Sequence, residues 1–145
     1  MAEQEAIQVA RRGVEAFNAA DWGALSADLT NSSVYEEPAT GRRLTGISGI
    51  MEANKGWKSA FPDAKGTITS SIASGNTAVL EITWQGTHSG NLLTPTGSIP
   101  ATGRRVTIKA VQVVEVENGK AKANRHYFDL AGMMAQLGVG APATA

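Results

Sequence analysis

The chain has 145 residues, 42% of them hydrophobic and 18% charged, with thirteen basic and thirteen acidic side chains and no cysteine. That length suits one domain able to bury a core without metal or disulfide staples. Balanced charge gives no net field to attract nucleic acid or an anionic membrane, and the lack of thiols excludes disulfides, thiolate nucleophiles and cysteine-ligated metals.

The opening residues, MAEQEAIQVARRG, hold no long apolar run after their basic pair, so they do not read as a signal peptide. No stretch of the chain approaches the roughly 20 apolar residues that span a bilayer. A soluble, cytoplasmic protein is expected. Ile7, Ala10, Val14 and Phe17 recur at spacings of three and four, which predicts a helix from about Glu3 to Ala20. Asp21 is placed to cap a second, short helix carrying Trp22, Leu25 and Leu29. Asn31 to Glu37 reads as a strand stopped by Pro38, and a turn at Thr40–Arg43 leads to a third helix from about Gly46 to Ala60.

Four strand-like runs follow, at Gly66–Ser74, Thr77–Thr87, Arg104–Glu117 and Lys120–Phe128. Gly75-Asn76 and Asn118-Gly119 join them in pairs as compact hairpin turns, which makes the pairing antiparallel. The segment Ser89–Gly103 between the pairs reads as a long loop, and Leu130–Leu137 as a closing helix. Residues 1–139 are therefore expected to form a single domain, with 140–145 a disordered tail. Helices early and strands late describe an α+β fold, a curved antiparallel sheet with helices packed on its concave face. Such a cone is either filled by side chains or kept open for a ligand.

Alternation along the second long strand groups Ala78, Leu80, Ile82, Trp84, Gly86 and His88 on the apolar side. His88 then stands at the mouth of the long loop, either as a proton shuttle or as a ligand to a loop carbonyl. Asp129, between the last strand and the closing helix, is either an acid/base carboxylate or an N-cap. Parity sets Arg125 and Tyr127 against Asn124 and His126 without deciding which pair faces inward. Asn54 interrupts the apolar stripe of the third helix, and Tyr35, Trp57, Trp84 and Met133 are candidate pocket wall. Two isolated histidines make a metal site improbable, and no dinucleotide turn, Walker loop, HExxH or GxSxG elbow is present.

Several short words now combine. Phe61-Pro62-Asp63, Gly86-Thr87-His88-Ser89-Gly90, Thr102-Gly103-Arg104-Arg105-Val106, and Tyr127-Phe128-Asp129 before Gln136-Leu137-Gly138 stand in an order that resembles the SnoaL-like polyketide cyclases of the NTF2-like fold. The resemblance spans about residues 3 to 139. It implies an NTF2-like cone that closes or isomerises a small hydrophobic polyketide- or steroid-like substrate by acid/base catalysis, without metal or cofactor. It carries the catalytic carboxylate onto Asp129 and the motif histidine onto His88, and assigns no role to Asn54, Arg125, His126 or Tyr127. From their places in the sequence, Tyr35, Asn54, Trp57, Trp84, Tyr127 and Met133 are expected around the substrate. A homodimer through the outer sheet face near Val111 and Val113 is also implied. A non-catalytic ligand-binding or dimerisation module and an epoxide hydrolase or hydratase are the alternatives. The sequence departs from the family pattern at Gly119-Lys120-Ala121 and in the Ala123–His126 stretch, which bears on substrate identity.

Overall fold

A computed structural model describes residues 2–94 and 97–139 of the chain. The elements run α1 (Ala2–Ala19), α2 (Trp22–Ala27), β1 (Val34–Glu37), β2 (Arg42–Thr45), α3 (Ile47–Ala60), β3 (Lys65–Ser74), β4 (Thr77–Thr87), β5 (Leu92–Thr94), β6 (Gly97–Ile99), β7 (Arg105–Glu117), β8 (Lys120–Phe128) and α4 (Leu130–Leu137). Every helix and long strand read from periodicity is present, and the tail expected at 140–145 lies outside the described residues.

Six strands form one mixed sheet in the order β2-β1-β8-β7-β4-β3. The two-residue turns account for half of it. At Asn118-Gly119 both residues have positive φ, 54° and 74°, the backbone that lets a tight turn follow the strands' right-handed twist. The tight turns make β3–β4 and β7–β8 antiparallel neighbours, β4 also pairs antiparallel with β7 across the long connection, and only β1 runs parallel to its partner β8.

Two pieces of strand were not expected. Arg42–Thr45, read as part of a turn, pairs antiparallel with β1, matching Glu36 with Arg43 and Glu37 with Arg42. Four residues rich in arginine carry no readable alternation, so only the pairing reveals this strand. Within the segment read as a long loop, β5 and β6 form a separate hairpin, and Leu92 on it is buried beside Phe61, Val106 and Leu137. That burial, set by tertiary contact, orders what its glycines and prolines suggest is irregular.

α1 lies across the sheet, where Val9, Ala10 and Val14 pack on Leu80, Ile82 and Val114. α3 and α4 close the other end through Ala60, Phe61, Met133 and Leu137. Asn18 near the end of α1 pins the edge strand: its amide donates to the Gly66 carbonyl at 2.9 Å and accepts from the Gly66 amide at 2.8 Å. Gly66 is also the cross-strand partner of Trp84, whose indole covers it so closely that a Cβ there would fall 2.5 Å from Cζ3. Gly66→Ala therefore has to push the indole aside. We expect a loss of about 1–3 kcal/mol in urea denaturation, together with a shift in tryptophan emission; an unchanged spectrum and stability would show that the indole is not held by this contact.

Candidate functional site

Alternation along β8 turns Asn124, His126 and Phe128 toward the helices, and Arg125 and Tyr127 outward. This settles the parity left open by the sequence. Between that face, the matching faces of β4 and β7, and the helices lies a cavity of about 140 Å³, the space open to the centre of a water molecule. Its wall is mostly apolar, contributed by residues such as Val14, Phe17, Ile50 and Ile108, as expected of a small-ligand site. Tyr35, Asn54, Trp57, Trp84 and Met133 all line it.

The two residues expected to do the chemistry do not. Asp129 is solvent-exposed, and its Oδ1 accepts from the Gly132 amide at 2.9 Å, an N-cap on α4. With Phe128 turned inward, the next residue leaves the sheet, and its carboxyl satisfies a helix N–H that would otherwise lack a partner. His88 is fully buried, yet outside the cavity wall. It packs 5.3 Å from the Phe61 ring, and its Nδ1 accepts from the Thr102 amide at 3.2 Å. His88 also continues the strand ladder through its backbone, donating to the Arg104 carbonyl and accepting from the Gly103 amide. These contacts tie it to residues 102–104 at the end of the loop. Tyr127 is 42% exposed on the outer face, beside Lys109 and Val111 in a shallow groove, and does not face the cavity. Asn54 lines the cavity but commits its Nδ2 to the Ile50 carbonyl of its own helix at 2.8 Å.

What the structure gathers instead is a chain of hydrogen bonds that begins at the cavity wall. Trp84 Nε1 lies 3.2 Å from His126 Nε2, His126 Nδ1 lies 3.2 Å from Tyr35 Oη, and Tyr35 Oη lies 2.5 Å from Glu37 Oε2. An indole nitrogen can only donate, so Nε2 is the acceptor and the imidazole proton sits on Nδ1. Nδ1 then donates to the tyrosine oxygen, and the tyrosine donates to the carboxylate. Every direction in the chain is fixed by its ends.

Glu37, at the far end, is fully buried. Burial alone would raise its pKa, but hydrogen bonds from Tyr35 and Trp57 and the Arg42 charge outweigh it and hold the carboxyl below its ordinary value. Trp57 Nε1 donates to Oε2 at 2.7 Å, Thr40 Oγ1 donates to Oε1 at 2.9 Å, and Arg42 spans both oxygens at 3.0 and 3.1 Å. Burial raises the Tyr35 pKa well above its usual range, and the Glu37 charge adds to that, so the phenol keeps its proton. Burial pushes His126 down to about 4 against a small opposing pull from Glu37, so its imidazole is neutral near pH 7.

Sequence reasoning missed this network because its members are scattered. Glu37 and Tyr35 sit two apart on β1 and so share a face, but His126 meets them only through the parallel pairing of β1 with β8. The available signal was a polar pair, Tyr35 and Glu37, at alternate positions of β1, which are its two buried positions. Among the described residues no cluster of three or more histidine or acidic side chains is placed to hold a metal ion.

A curved sheet closed by helices on one face is the NTF2-like, ketosteroid isomerase-like fold. The SnoaL-like polyketide cyclase model matches residues 7–137, and the chain belongs to that family. No curated protein matches it in sequence. Among solved structures, TsrD from Streptomyces laurentii is 27% identical with a TM-score of 0.78, covering 93% of this chain and 96% of that one. A SnoaL-like polyketide cyclase relative from a Jannaschia species superposes with a TM-score of 0.84 at 17% identity, over 97% of this chain and 94% of its own. An LEH-like epoxide hydrolase of M. tuberculosis shares the fold at a TM-score of 0.72 and 22% identity, over 95% of this chain and 92% of that one. No helix among the described residues is long and apolar enough to cross a membrane.

The buried network has a sign in its pH dependence. The unfolded chain takes up imidazole protons near pH 6.5, while folded His126 resists protonation until about 4, and burial lowers His88 as well. Between those values the unfolded state binds more protons, so stability falls as pH is lowered. Glu37 acts in the same direction at lower pH, because its folded value lies below the ordinary one. Urea midpoints are expected to decline from pH 7 to pH 4.5, with His126 accounting for about 3 kcal/mol at most. His126→Gln should flatten most of that slope and leave the part due to His88; a slope identical to the parent's would mean that His126 is not held neutral. Glu37→Gln, which leaves Arg42 and the indole of Trp57 without their anion, is expected to cost about 3 kcal/mol at pH 7.

Proposed function

We propose that the protein is a cofactor-independent carbon-acid enzyme, a cyclase or isomerase of a small, largely apolar ketone or ester, with His126 as the acid/base group. The observation that supports this is the directed chain Trp84–His126–Tyr35–Glu37 ending at an apolar cavity. Nε2 carries the only imidazole lone pair and stands at the wall. In this reading Nε2 takes a proton from the carbon next to a substrate carbonyl. The C–H electron pair becomes the enolate double bond and the charge moves to the carbonyl oxygen. The imidazolium so formed keeps its Nδ1–H on Tyr35, whose hydroxyl is set against the Glu37 anion.

Protonating Nε2 also ends its ability to accept from Trp84. The indole N–H is released at the moment an enolate oxygen needs a donor, and one such donor in a dry site contributes about 2.7–4 kcal/mol. For cyclisation, the enolate carbon attacks a second carbonyl and Nε2–H returns the proton to the new alkoxide. For isomerisation, the proton returns to another carbon.

A second reading has support of its own. Nε2 is already engaged by Trp84, and Asp28, the one carboxylate among the described residues of the cavity wall, is held by Arg12 at 3.0 and 3.1 Å. A satisfied wall suits a binding module that turns nothing over. Hydration of an epoxide has less support, since Glu37 is sealed behind Tyr35 and Trp57.

Exchange of the α-protons of 2-tetralone in D₂O, followed by NMR, separates these readings without knowledge of the natural substrate. The enzyme reading expects exchange above background, falling about 10²–10⁴-fold in His126→Gln, while 2-tetralone still binds. It also expects a rate flat from pH 8 to about 5, with the acid limb near 4 rather than 6.5. Binding with exchange at the background rate would establish the module instead. The homodimer belongs to the same proposal: Val111 and Val113 lie on the outer face of β7, and sedimentation of a monomer alone would remove it.

A further inference from the structure

One cavity residue has no place in the network just described. Asn124 lies two residues before His126 on the same face of β8 and lines the cavity. Its Oδ1 is sealed from bulk solvent and has no hydrogen-bond partner among the described residues. Leaving a buried acceptor unmet costs stability, and strands of this family of shapes are easily lined with apolar side chains instead, as the neighbouring Val114 and Ala121 illustrate. A second carboxamide stands next to it. Gln112 is the direct cross-strand partner of His126 and also lines the cavity, which makes it the diagonal neighbour of Asn124. Diagonal pairs on a sheet face are about 7–8 Å apart at the backbone, within reach of one ligand atom held between two such side chains.

We infer that Asn124 and Gln112 form a subsite for a hydroxyl group on the ligand, which donates to Asn124 Oδ1 and accepts from the Gln112 amide. This rests on the reading of the cavity as a ligand site, but not on its catalysis. The spacing along β8 sets the geometry: two residues of strand separate the hydroxyl from the imidazole by about 7 Å. The ligand class is thus an apolar ring system with a hydroxyl roughly one ring away from the carbon that faces His126. A site built around an unmet buried acceptor rejects analogues that cannot donate to it more strongly than an apolar wall rejects a change of shape.

The test uses 2-naphthol and 2-methoxynaphthalene, which share a ring system while only the first can donate, titrated calorimetrically into the whole protein. The parent protein is expected to bind 2-naphthol at least about tenfold more tightly. In Asn124→Leu the two affinities should converge to within about threefold, while the melting temperature holds or rises because the unmet acceptor is gone. Asn124→Ala gives the same reading should leucine prove too bulky to fold. His126→Gln should keep the tenfold preference. Equal affinities in the parent, or a preference that survives both Asn124 variants, would overturn the subsite. Loss of the preference in His126→Gln would also overturn it, since the imidazole would then be reading the hydroxyl, and the catalytic proposal would stand untouched. Failure of both probes to bind at all would remove the cavity as a ligand site, and this subsite with it.

Discussion

A carboxylate removed from water is tolerated only where donors replace its hydration, and Glu37 meets that condition with donors from four separate parts of the chain. Tyr35 comes from the same strand, Thr40 from the turn, Arg42 from β2 and Trp57 from α3. The constraint runs both ways. The anion needs these groups in place, and their positions fix how β2 and α3 sit on the end of the sheet. The arginine-rich strand β2, which has little to bury, is held partly by its pairing with β1 and partly by Arg42 on this carboxylate.

From that anchor the polarity passes inward. Tyr35 cannot donate to both Glu37 and His126, so the strong acceptor takes its proton and leaves the phenol oxygen to accept from the imidazole. Trp84 then completes the chain from the opposite wall. Its indole is steered there by the missing side chain at Gly66, across the edge strand, and by the edge contact with Phe17 at 5.2 Å between ring centroids. A neutral, correctly oriented imidazole inside an apolar cavity is the outcome of packing around it, and it needs no charged group in the cavity itself.

The cavity persists because the elements around it are fastened at their ends. α1 is tied to β3 through Asn18 and Gly66, and α3 is tied to the segment just after β4 through the Ala60 carbonyl, which accepts from the Ser89 and Gly90 amides. α4 is capped by Asp129 and clamped to β7 by Gln136, which bonds both the amide and the carbonyl of Thr107. His88 and Thr102 join the ends of the segment that carries the β5–β6 hairpin. The words Thr87-His88, Thr102-Gly103-Arg104-Arg105 and Phe128-Asp129, in which the sequence resembles the family, fall largely on these fastenings.

The sequence by itself determined the helices, the long strands and their order. Helical stripes such as Ile7–Phe17, alternation in β4 and the Asn118-Gly119 turn are local properties, each set by a few neighbouring residues and by backbone geometry. It could not determine which polar groups meet. His88 and Asp129 looked chemical because each is titratable and near a strand end; in the fold each accepts from a nearby backbone amide and lies off the cavity wall. His126 joins Tyr35, ninety-one positions earlier, only because β1 enters the sheet parallel to β8, a long-range pairing that leaves no mark on either segment alone. The imidazole's proton placement follows from that network and its lowered pKa from burial, and both are set by tertiary structure alone.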